Sequence, residues 1–317
     1  MATTTPQQRA HSAGPRFDPR PGKLRYSLRW LSALAGGGTL ATLAFAMGGT
    51  GAAAALGALG ATGVAYATMH EPRRPRIERV TLHHRALPAD LDGLRIGHLS
   101  DLHLGMRFTA ANSRWAAERM LEEAPDLLAL TGDFVSYARA IPTLAHVLAP
   151  LARLTPRLGI YAVPGNHDYW EGVAAIRRAL APLGVRFLLN EHVLLERGGA
   201  RLLVAGVDDQ WSGRPDLGAA LAGGPDGAFR VLLAHCPDIA DEAAARGVHV
   251  QLSGHTHGGH VRAPGLGALC LPRHGWRYTI GHERIGAMQL YVSRGLGGVP
   301  LRFGCPPEAT VITLRRG

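Results

Sequence analysis

The stretch LRIGHLSDLH at residues 94–103 joins a short apolar run to a polar turn. The run Leu94–Leu99 predicts a buried strand, because it is brief, apolar and bounded by turn residues. The turn carries two metal-capable side chains, Asp101 and His103, two positions apart. Side chains at this spacing on an extended segment point to the same side, so we expect them to act together.

Four later segments repeat this arrangement of a predicted strand that ends in a polar turn. The strands span 127–131, 159–163, 229–234 and 248–253, and the side chains that follow them are Asp133, Asn166, His167, Asp168, His235, His255 and His257. Ligands of open α/β sheets collect beyond the carboxyl ends of the strands, so we expect these turns to converge. Gly132, Gly165 and Gly254 let the backbone turn sharply and approach an ion closely. The sequence therefore predicts one metal cluster.

Helix-like stretches alternate with these strands. They span about 112–123, 141–153, 171–181 and 237–246, and a further strand is predicted at 201–207. The C-terminal runs 288–293 and 309–314 predict strands without helices between them. Strand–helix alternation of this kind is typical of an α/β layered domain.

The region before residue 94 has another composition. Residues 1–23 are rich in Pro, Thr, Gln and Arg and predict a disordered basic tail. Leu31–Met69 is uncharged over 39 residues, whereas one membrane-spanning helix needs about 20. Because Gly48-Gly49-Thr50-Gly51 interrupts the run, we predict a membrane anchor at 24–70 made of two short helices, about 31–47 and 52–69. Residues 71–93 then form a linker and a first strand.

Basic residues flank the apolar run on both sides, namely Arg25, Arg29, Arg73, Arg74 and Arg76. Because positive charge favours the cytoplasmic side of a membrane, both ends of a hairpin would lie there. We therefore predict a bacterial-type inner (cytoplasmic) membrane protein whose folded domain faces the cytoplasm. Two alternatives stay open. The domain faces outward, or the run is an export signal cleaved near Ala44-Phe45-Ala46 or Ala65-Tyr66-Ala67.

The net charge of +10 does not indicate a nucleic-acid binder. Residues 1–30 carry six basic side chains and one acidic one, so half of the excess lies beside the apolar run. Nucleic-acid-binding domains concentrate Lys and Arg on a folded face, interleaved with aromatic residues, which make up only 6% here. We expect no nucleic-acid partner, and the three distant cysteines predict no disulfide framework.

In chain order, the series Asp-x-His, Gly-Asp, Gly-Asn-His-Asp, a lone His and Gly-His-x-His resembles the calcineurin-like metallophosphoesterase family. The resemblance covers residues 94–317 and implies a four-layer α-β-β-α sandwich, here preceded by the predicted transmembrane segment. Residues 91–96 and 294–298, with Pro306-Pro307-Glu308, resemble the membrane-anchored branch. That branch includes phosphodiesterases of the YkuE and YaeI type and enzymes linked to hydrolysis of UDP-2,3-diacylglucosamine in lipid A synthesis.

The resemblance implies a site for two divalent metal ions, such as Mn, Fe or Zn. It assigns Asp101, His103, Asp133 and His257 to one ion, and Asp133, Asn166, His235 and His255 to the other, with Asp133 as the bridge. The implied reaction is hydrolysis of a phosphodiester or pyrophosphate bond by a metal-bridging hydroxide. The expected substrate is a phosphorylated small molecule or lipid near the membrane. His167 is the expected general acid, and Asp168 is expected to orient its imidazole.

One departure from the family pattern narrows the substrate. Protein phosphatases of this superfamily follow the Gly-Asp block with an Asp-Arg pair that grips phosphate. Here Gly132-Asp133 is followed by Phe134-Val135-Ser136, which argues against phosphoprotein substrates.

An exported cell-envelope phosphoesterase is an alternative with the same chemistry. A non-catalytic scaffold is a further alternative, disfavoured because such proteins usually lose ligands or the catalytic His.

Three more polar residues lie near the predicted turns. Asp208 and Asp209 follow the predicted strand at 201–207, and their side chains either support the site or shape their own loop. His260 comes three residues after His257 but falls outside the ligand set of the family. We expect a structural role for His260.

Overall fold

The structure is a computed structural model that describes residues 54–55, 57–263, 265 and 267–317. Its centre consists of two six-stranded mixed sheets. Sheet 1 contains β1 Arg76–His84, β2 Arg95–Leu99, β3 Leu127–Thr131, β4 Ile160–Val163, β5 Val185–Phe187 and β14 Glu308–Arg316. Sheet 2 contains β6 Glu191–Arg197, β7 Ala200–Gly206, β8 Phe229–Leu233, β9 Val250–Ser253, β12 Gly281–Ile285 and β13 Met288–Val292. A short ribbon pairs β10 Arg262–Ala263 with β11 Gly267–Ala268.

The strand orders place the predicted turns at one end of the molecule. Sheet 1 has the order β1-β14-β2-β3-β4-β5, in which β2 to β5 are parallel and β14 runs antiparallel to β2. Sheet 2 has the order β12-β13-β9-β8-β7-β6, in which β7, β8, β9 and β13 are parallel. Parallel neighbours share the edge at which they end, so the turns after β2, β3 and β4 come together, as do those after β8 and β9.

Helices cover the outer faces of both sheets. After the N-terminal helical residues 57–65, the α-helices are α1 Thr109–Glu123, α2 Leu144–Val147, α3 Asn166–Glu171, α4 Val173–Leu180, α5 Leu217–Leu221 and α6 Ala240–Ala245. The 3-10 segments are Glu71–Arg73, Ala89–Leu91, Ala138–Thr143, Ala149–Arg153, Ala181–Leu183, Pro237–Ile239 and His257–Gly259. One apolar cluster fills the space between the sheets, and two others lie under the helices on either side. These three cores give the α-β-β-α layering, and the prediction of an α/β metallophosphoesterase fold is confirmed.

Strand β3 shows why these segments form buried strands. All five of its residues are buried. Leu127 and Ala129 belong to the core between the sheets, whereas Leu128 and Leu130 belong to the core under the helices. Alternate side chains of a strand point to opposite faces, so a strand covered on both faces needs a continuous apolar run.

The predicted helix at 141–153 is wrong in its type and continuity. The structure has a 3-10 segment Ala138–Thr143, the four-residue helix α2 and a second 3-10 segment Ala149–Arg153. Pro142 and Pro150 explain the interruption, because proline lacks a backbone N–H and its ring clashes with the preceding helical turn.

The structure describes only part of the predicted membrane anchor. The first predicted helix, about 31–47, lies outside the described residues. Residues 57–65 are helical and continue into a π-helical turn, Tyr66–His70. Within the described part of the chain, every helix is too short or too polar to cross a bilayer.

Gly97 in β2 generates a prediction about packing. A Cβ atom at this position would lie 2.8 Å from Met120 Sδ and 2.9 Å from Leu128 Cδ1. Both neighbours are fully buried, so we expect Gly97→Ala to lower the free energy of unfolding by about 1–3 kcal/mol through overpacking. Gly199→Ala is the control, because its Cβ would meet only Asp90 Oδ2, at 3.5 Å. Equal denaturation midpoints for the two variants would contradict the packing account.

Candidate metal centre

Five loops meet where the parallel strands end. Backbone hydrogen bonds join them: Asp101 N donates to Gly132 O at 3.0 Å, and His103 N donates to Asp133 O at 2.9 Å. Across the two sheets, the N–H of His255 donates to the Asp101 carboxylate at 3.0–3.1 Å. The loops are therefore held together by the backbone and by Asp101, and the side chains between them have fixed positions.

The first group of side chains consists of Asp101, His103 and His257, all of which are buried. His257 Nε2 lies 3.2 Å from His103 Nε2 and 3.5 Å from Asp101 Oδ1. His103 Nε2 also lies 3.3 Å from Asp133 Oδ2, which connects this group to the next one.

The second group consists of Asp133, His235 and His255, and it is also buried. His235 Nε2 lies 3.3 Å from Asp133 Oδ2 and 3.1 Å from His255 Nδ1. The same Asp133 oxygen therefore faces His103 on one side and His235 on the other. Although burial opposes ionisation, the charges of His235 and His167 hold the pKa of Asp133 well below its usual range. An ionised oxygen between two imidazoles is suited to bridge two cations.

In three of the histidines, the ring nitrogen that faces away from the cluster lies beside an oxygen that can accept a hydrogen bond. His235 Nδ1 lies 2.7 Å from Thr131 O, and His255 Nε2 lies 2.6 Å from Arg273 O. His103 Nδ1 lies 2.8 Å from Ser136 Oγ. In the neutral form of each ring, an N–H donated to its oxygen leaves the lone pair of the other nitrogen directed into the site. Histidines that bind metal ions commonly have such an outer partner.

The charges of the buried groups favour a bound cation. Burial raises the pKa of Asp101, and burial together with the negative charge of Asp133 raises the pKa of Asp168 to about 8. Burial lowers the pKa of His255 to about 3, so its imidazole is neutral, the form that binds metal ions. Clustered carboxylates beside neutral imidazoles are costly to bury alone, and divalent cations remove this cost.

Asn166 supplies a further observation that fits a metal ion. Its Oδ1 atom is buried and has no hydrogen-bond partner among the described residues. A buried amide oxygen without a donor is unfavourable unless a cation takes that place. Gly165 keeps the neighbouring space open, because a Cβ there would lie 2.3 Å from Asp133 Oδ1. The residues present therefore fit a two-metal centre.

The backbone at five of the seven predicted ligands adopts the left-handed region. The φ angles are 53° at Asp101, 48° at His103, 55° at Asp133, 72° at His255 and 51° at His257. The backbone at these turns is therefore not extended as expected, although Asp101 and His103 still join one group. His255 joins His235 while His257 joins His103. Left-handed backbone costs roughly 1–3 kcal/mol for a residue other than glycine, and it clusters at functional sites.

His167 and Asp168 lie at the start of α3. The His167 ring lies 4.6 Å from the His103 ring, and one of its nitrogens is within 4.8 Å of the His103 and Asp133 ligand atoms. The Asp168 carboxylate accepts hydrogen bonds at 2.8 Å from the N–H groups of Asp133, Phe134 and Gly165. These contacts join the loop after β3 to the loop after β4, a role that the sequence does not indicate.

Sequence reasoning missed Arg302, which lies beside the cluster. Arg302 is 1% exposed, and its guanidinium donates to Gly297 O at 2.6 Å and to Arg294 O at 2.8 Å. It also lies 3.3 Å from His257 Nδ1. His260 stacks on His257 with ring centroids 4.4 Å apart. Arg302 is distant in sequence from the ligand turns, so no local pattern marks it, whereas His260 lies only three residues after His257.

A cavity opens onto the cluster. Trp170, Trp211 and Tyr137 contribute aromatic side chains to its lining, together with His167 and His255. Asp208 and Asp209, left undecided by the sequence, shape the loop that carries Trp211: Trp211 N donates to Asp209 Oδ2 at 3.0 Å, and Arg214 N donates to Asp208 Oδ2 at 2.9 Å.

Comparisons with known proteins agree with the geometry. The sequence profile of the family described as calcineurin-like phosphoesterase matches residues 94–259. YkuE, a metallophosphoesterase of Bacillus subtilis, is 34% identical over 79% of this chain and 89% of its own length. The phosphodiesterase YaeI of Escherichia coli is 30% identical over 69% of this chain and 82% of its own length. A transmembrane protein with a metallophosphoesterase domain from Danio rerio is 29% identical over 79% of this chain and 60% of its own length.

Members of this family use divalent metal ions in a dinuclear site, and the two side-chain groups around Asp133 provide candidate ligands for such a site. The matched profile spans more than half of the chain and includes all seven predicted ligands, Asn166 among them. The chain belongs to the calcineurin-like phosphoesterase family and is a metal-dependent hydrolase.

Proposed function

We propose that this protein hydrolyses a phosphodiester or pyrophosphate bond in a substrate at the membrane surface. The arrangement around Asp133, with one carboxylate oxygen 3.3 Å from both His103 Nε2 and His235 Nε2, carries the chemical part of the proposal. Asp101 and His257 complete the first metal site. Asn166 and His255 complete the second.

Each side chain has a defined task in this reaction. Divalent cations held at the two sites would polarise the phosphoryl group and lower the pKa of a water molecule beside it. Asp133 remains ionised between the histidines. The Asp101 carboxylate holds the His255 loop by accepting a hydrogen bond from the His255 backbone N–H. The imidazole of His167 carries the proton that the leaving oxygen needs, from a position against the His103 ring. Asp168 holds the two loops on which Asp133 and His167 lie.

The membrane part of the proposal rests on the N-terminal segment. Helical residues 57–65 expose apolar side chains, with Leu59 at 69% and Val64 at 57%. The chain then joins the folded domain, where Ala67 O accepts from Arg302 N at 2.8 Å and the Glu71 carboxylate accepts from Cys305 N at 2.6 Å. The loop 294–305 that makes these contacts also supplies Gly298 and Val299 to the cavity. An anchor attached there would keep the cavity close to the bilayer. UDP-2,3-diacylglucosamine stays a prediction of the sequence resemblance.

The full chain, purified in detergent, is expected to contain about two divalent ions and to hydrolyse bis(p-nitrophenyl) phosphate. Asp133→Asn keeps the shape of the side chain but removes the bridging charge, so both metal content and turnover should fall. Elemental analysis and initial rates measure these two quantities. Chelation should lower the melting temperature of the wild-type protein, because the ions bind the folded state. Wild-type metal content and turnover in Asp133→Asn would refute the site assignment.

His167→Ala tests the proton donor. We expect a loss of about 10²–10⁴-fold in kcat for diesters with an alcohol leaving group, and a smaller loss when nitrophenolate leaves, because nitrophenolate departs without protonation. Metal content should stay at the wild-type level. An equal loss on both substrate types, together with lost metal, would show that His167 is a ligand rather than an acid.

Asp168→Asn distinguishes the two roles considered for this carboxylate. If Asp168 positions the ligand loops, the variant should bind metal about 10–100-fold more weakly in a chelator competition. Asp126→Asn is the matched control, because Asp126 also accepts a backbone N–H, from Arg95, but before β3 rather than after it. Wild-type metal affinity in Asp168→Asn with reduced turnover would instead favour orientation of His167.

A topology reporter fused after Met69 tests the anchor. A reporter that works only in the cytoplasm should be active, because the hairpin returns the chain to that side. If only a reporter that works on the outer face of the membrane were active, the hairpin prediction would be wrong. That result would favour the outward-facing or exported alternative.

A further inference from the structure

Two tryptophans form an aromatic corner in the wall of the cavity. Trp170 and Trp211 have ring centroids 5.4 Å apart and an interplanar angle of 89°. Both are partly exposed and both line the cavity that opens onto the metal centre. The face of one indole therefore meets the edge of the other beside the reacting groups.

Hydrogen bonds hold this aromatic corner in place. Trp170 Nε1 donates to Ser212 Oγ at 3.0 Å, and Ser212 N donates to Asp209 Oδ2 at 2.6 Å. Asp209 Oδ2 also accepts from Trp211 N. The hydroxyl of Tyr169, next to Trp170, donates to Asp208. The turn after β7 and helix α3 are therefore joined, and the corner is formed before a substrate arrives.

The position of the corner relates it to the leaving group. The Trp170 ring lies 4.5 Å from the ring of His167, the proposed proton donor. Trp211 lies 5.7 Å from His255, with an interplanar angle of 88°. The oxygen that His167 protonates must lie beside His167, so the group attached to that oxygen extends along Trp170.

The lining of the cavity limits the charge of that group. Apart from the candidate ligands and His167, the lining consists of aromatic, apolar, hydroxyl and glycine residues and His260, which stacks on His257. Among the described residues that line it there is no Lys or Arg. A second phosphate on the substrate would therefore find no protein cation in the cavity, which favours a substrate with a single phosphoryl group.

We propose that the aromatic corner binds the leaving group of a phosphodiester, and that this group carries an uncharged planar ring such as a nucleobase or an aryl ring. This inference rests on the proposed function, because it takes His167 as the proton donor. A planar ring that stacks on one indole meets the other indole edge to face, and both geometries are favourable for aromatic rings. An aliphatic chain can bury apolar area against the indoles but lacks the additional contact between aromatic rings.

The test uses the full chain in detergent and two competitive inhibitors of bis(p-nitrophenyl) phosphate hydrolysis. Methyl phenyl phosphate and methyl cyclohexyl phosphate have the same charge and similar size, but only the first has a planar ring. The wild-type protein should bind the phenyl ester about tenfold more tightly, in line with the effect of a stacking contact. In Trp211→Ala the two inhibition constants should become equal, and Trp211→Phe should keep most of the preference.

Trp276→Ala is the matched control, because Trp276 is 60% exposed and is not part of the cavity lining. This variant should keep the wild-type preference for the phenyl ester. Equal binding of the two esters by the wild-type protein, tighter binding of the cyclohexyl ester, or an unchanged preference in Trp211→Ala would overturn the inference.

Failure of the proposed function gives a different result. In that case the metal-loaded wild-type protein does not hydrolyse the diester at all. In that case, calorimetry measures the dissociation constants of the two esters in place of their inhibition constants. The preference for the phenyl ester, and with it the inference about the aromatic corner, is still tested.

Discussion

The fold and the chemistry of this protein depend on one buried carboxylate. Asp133 follows the central strand β3, and its Oδ2 atom lies 3.3 Å from an imidazole of the β2 loop and 3.3 Å from an imidazole of the β8 loop. The two sheets supply these histidines separately, so Asp133 connects them at the point where they meet. A buried charge of this kind is tolerated only with close partners of opposite charge. Two layers that could pack in several ways by their apolar faces alone are thereby held in one arrangement.

The strands were predictable because their sequences are constrained on both faces. The boundaries of β3 match the apolar run 127–131, and every residue of that strand is buried. Short or half-exposed strands gave no comparable signal: β5 has three residues, and β12 exposes most of its side chains. The 3-10 segments beside α2 escaped prediction because their form depends on the position of two prolines within an otherwise helical pattern.

From the residues alone, the site was predictable to the level of which residues meet, and the family resemblance supplied the division into two ligand sets. Metal-capable side chains after parallel strands must converge, since the strands end at a common edge. The division of His255 and His257 between two groups depends on left-handed backbone at both residues. That conformation is accompanied by bonds to other loops, such as the one from His255 N to the Asp101 carboxylate at 3.0–3.1 Å. Arg302 and Trp211 come from distant segments, so their proximity to the site follows only from the complete fold.

The left-handed backbone at five ligand positions has a consequence for evolution and redesign of the centre. Asp, Asn and His tolerate this conformation better than most residues with a side chain, because their short polar groups can bond to the nearby backbone. The same residue types also supply the nitrogen and oxygen donors that the ions need. The residue at each position must therefore meet two independent conditions: it must tolerate left-handed backbone, and its side chain must supply a metal-binding atom. Replacing Asp101 with Glu, for example, keeps a carboxylate oxygen as the metal ligand but introduces a residue that is less compatible with left-handed backbone. Metal preference is therefore easier to alter through the surrounding residues than through the ligands themselves.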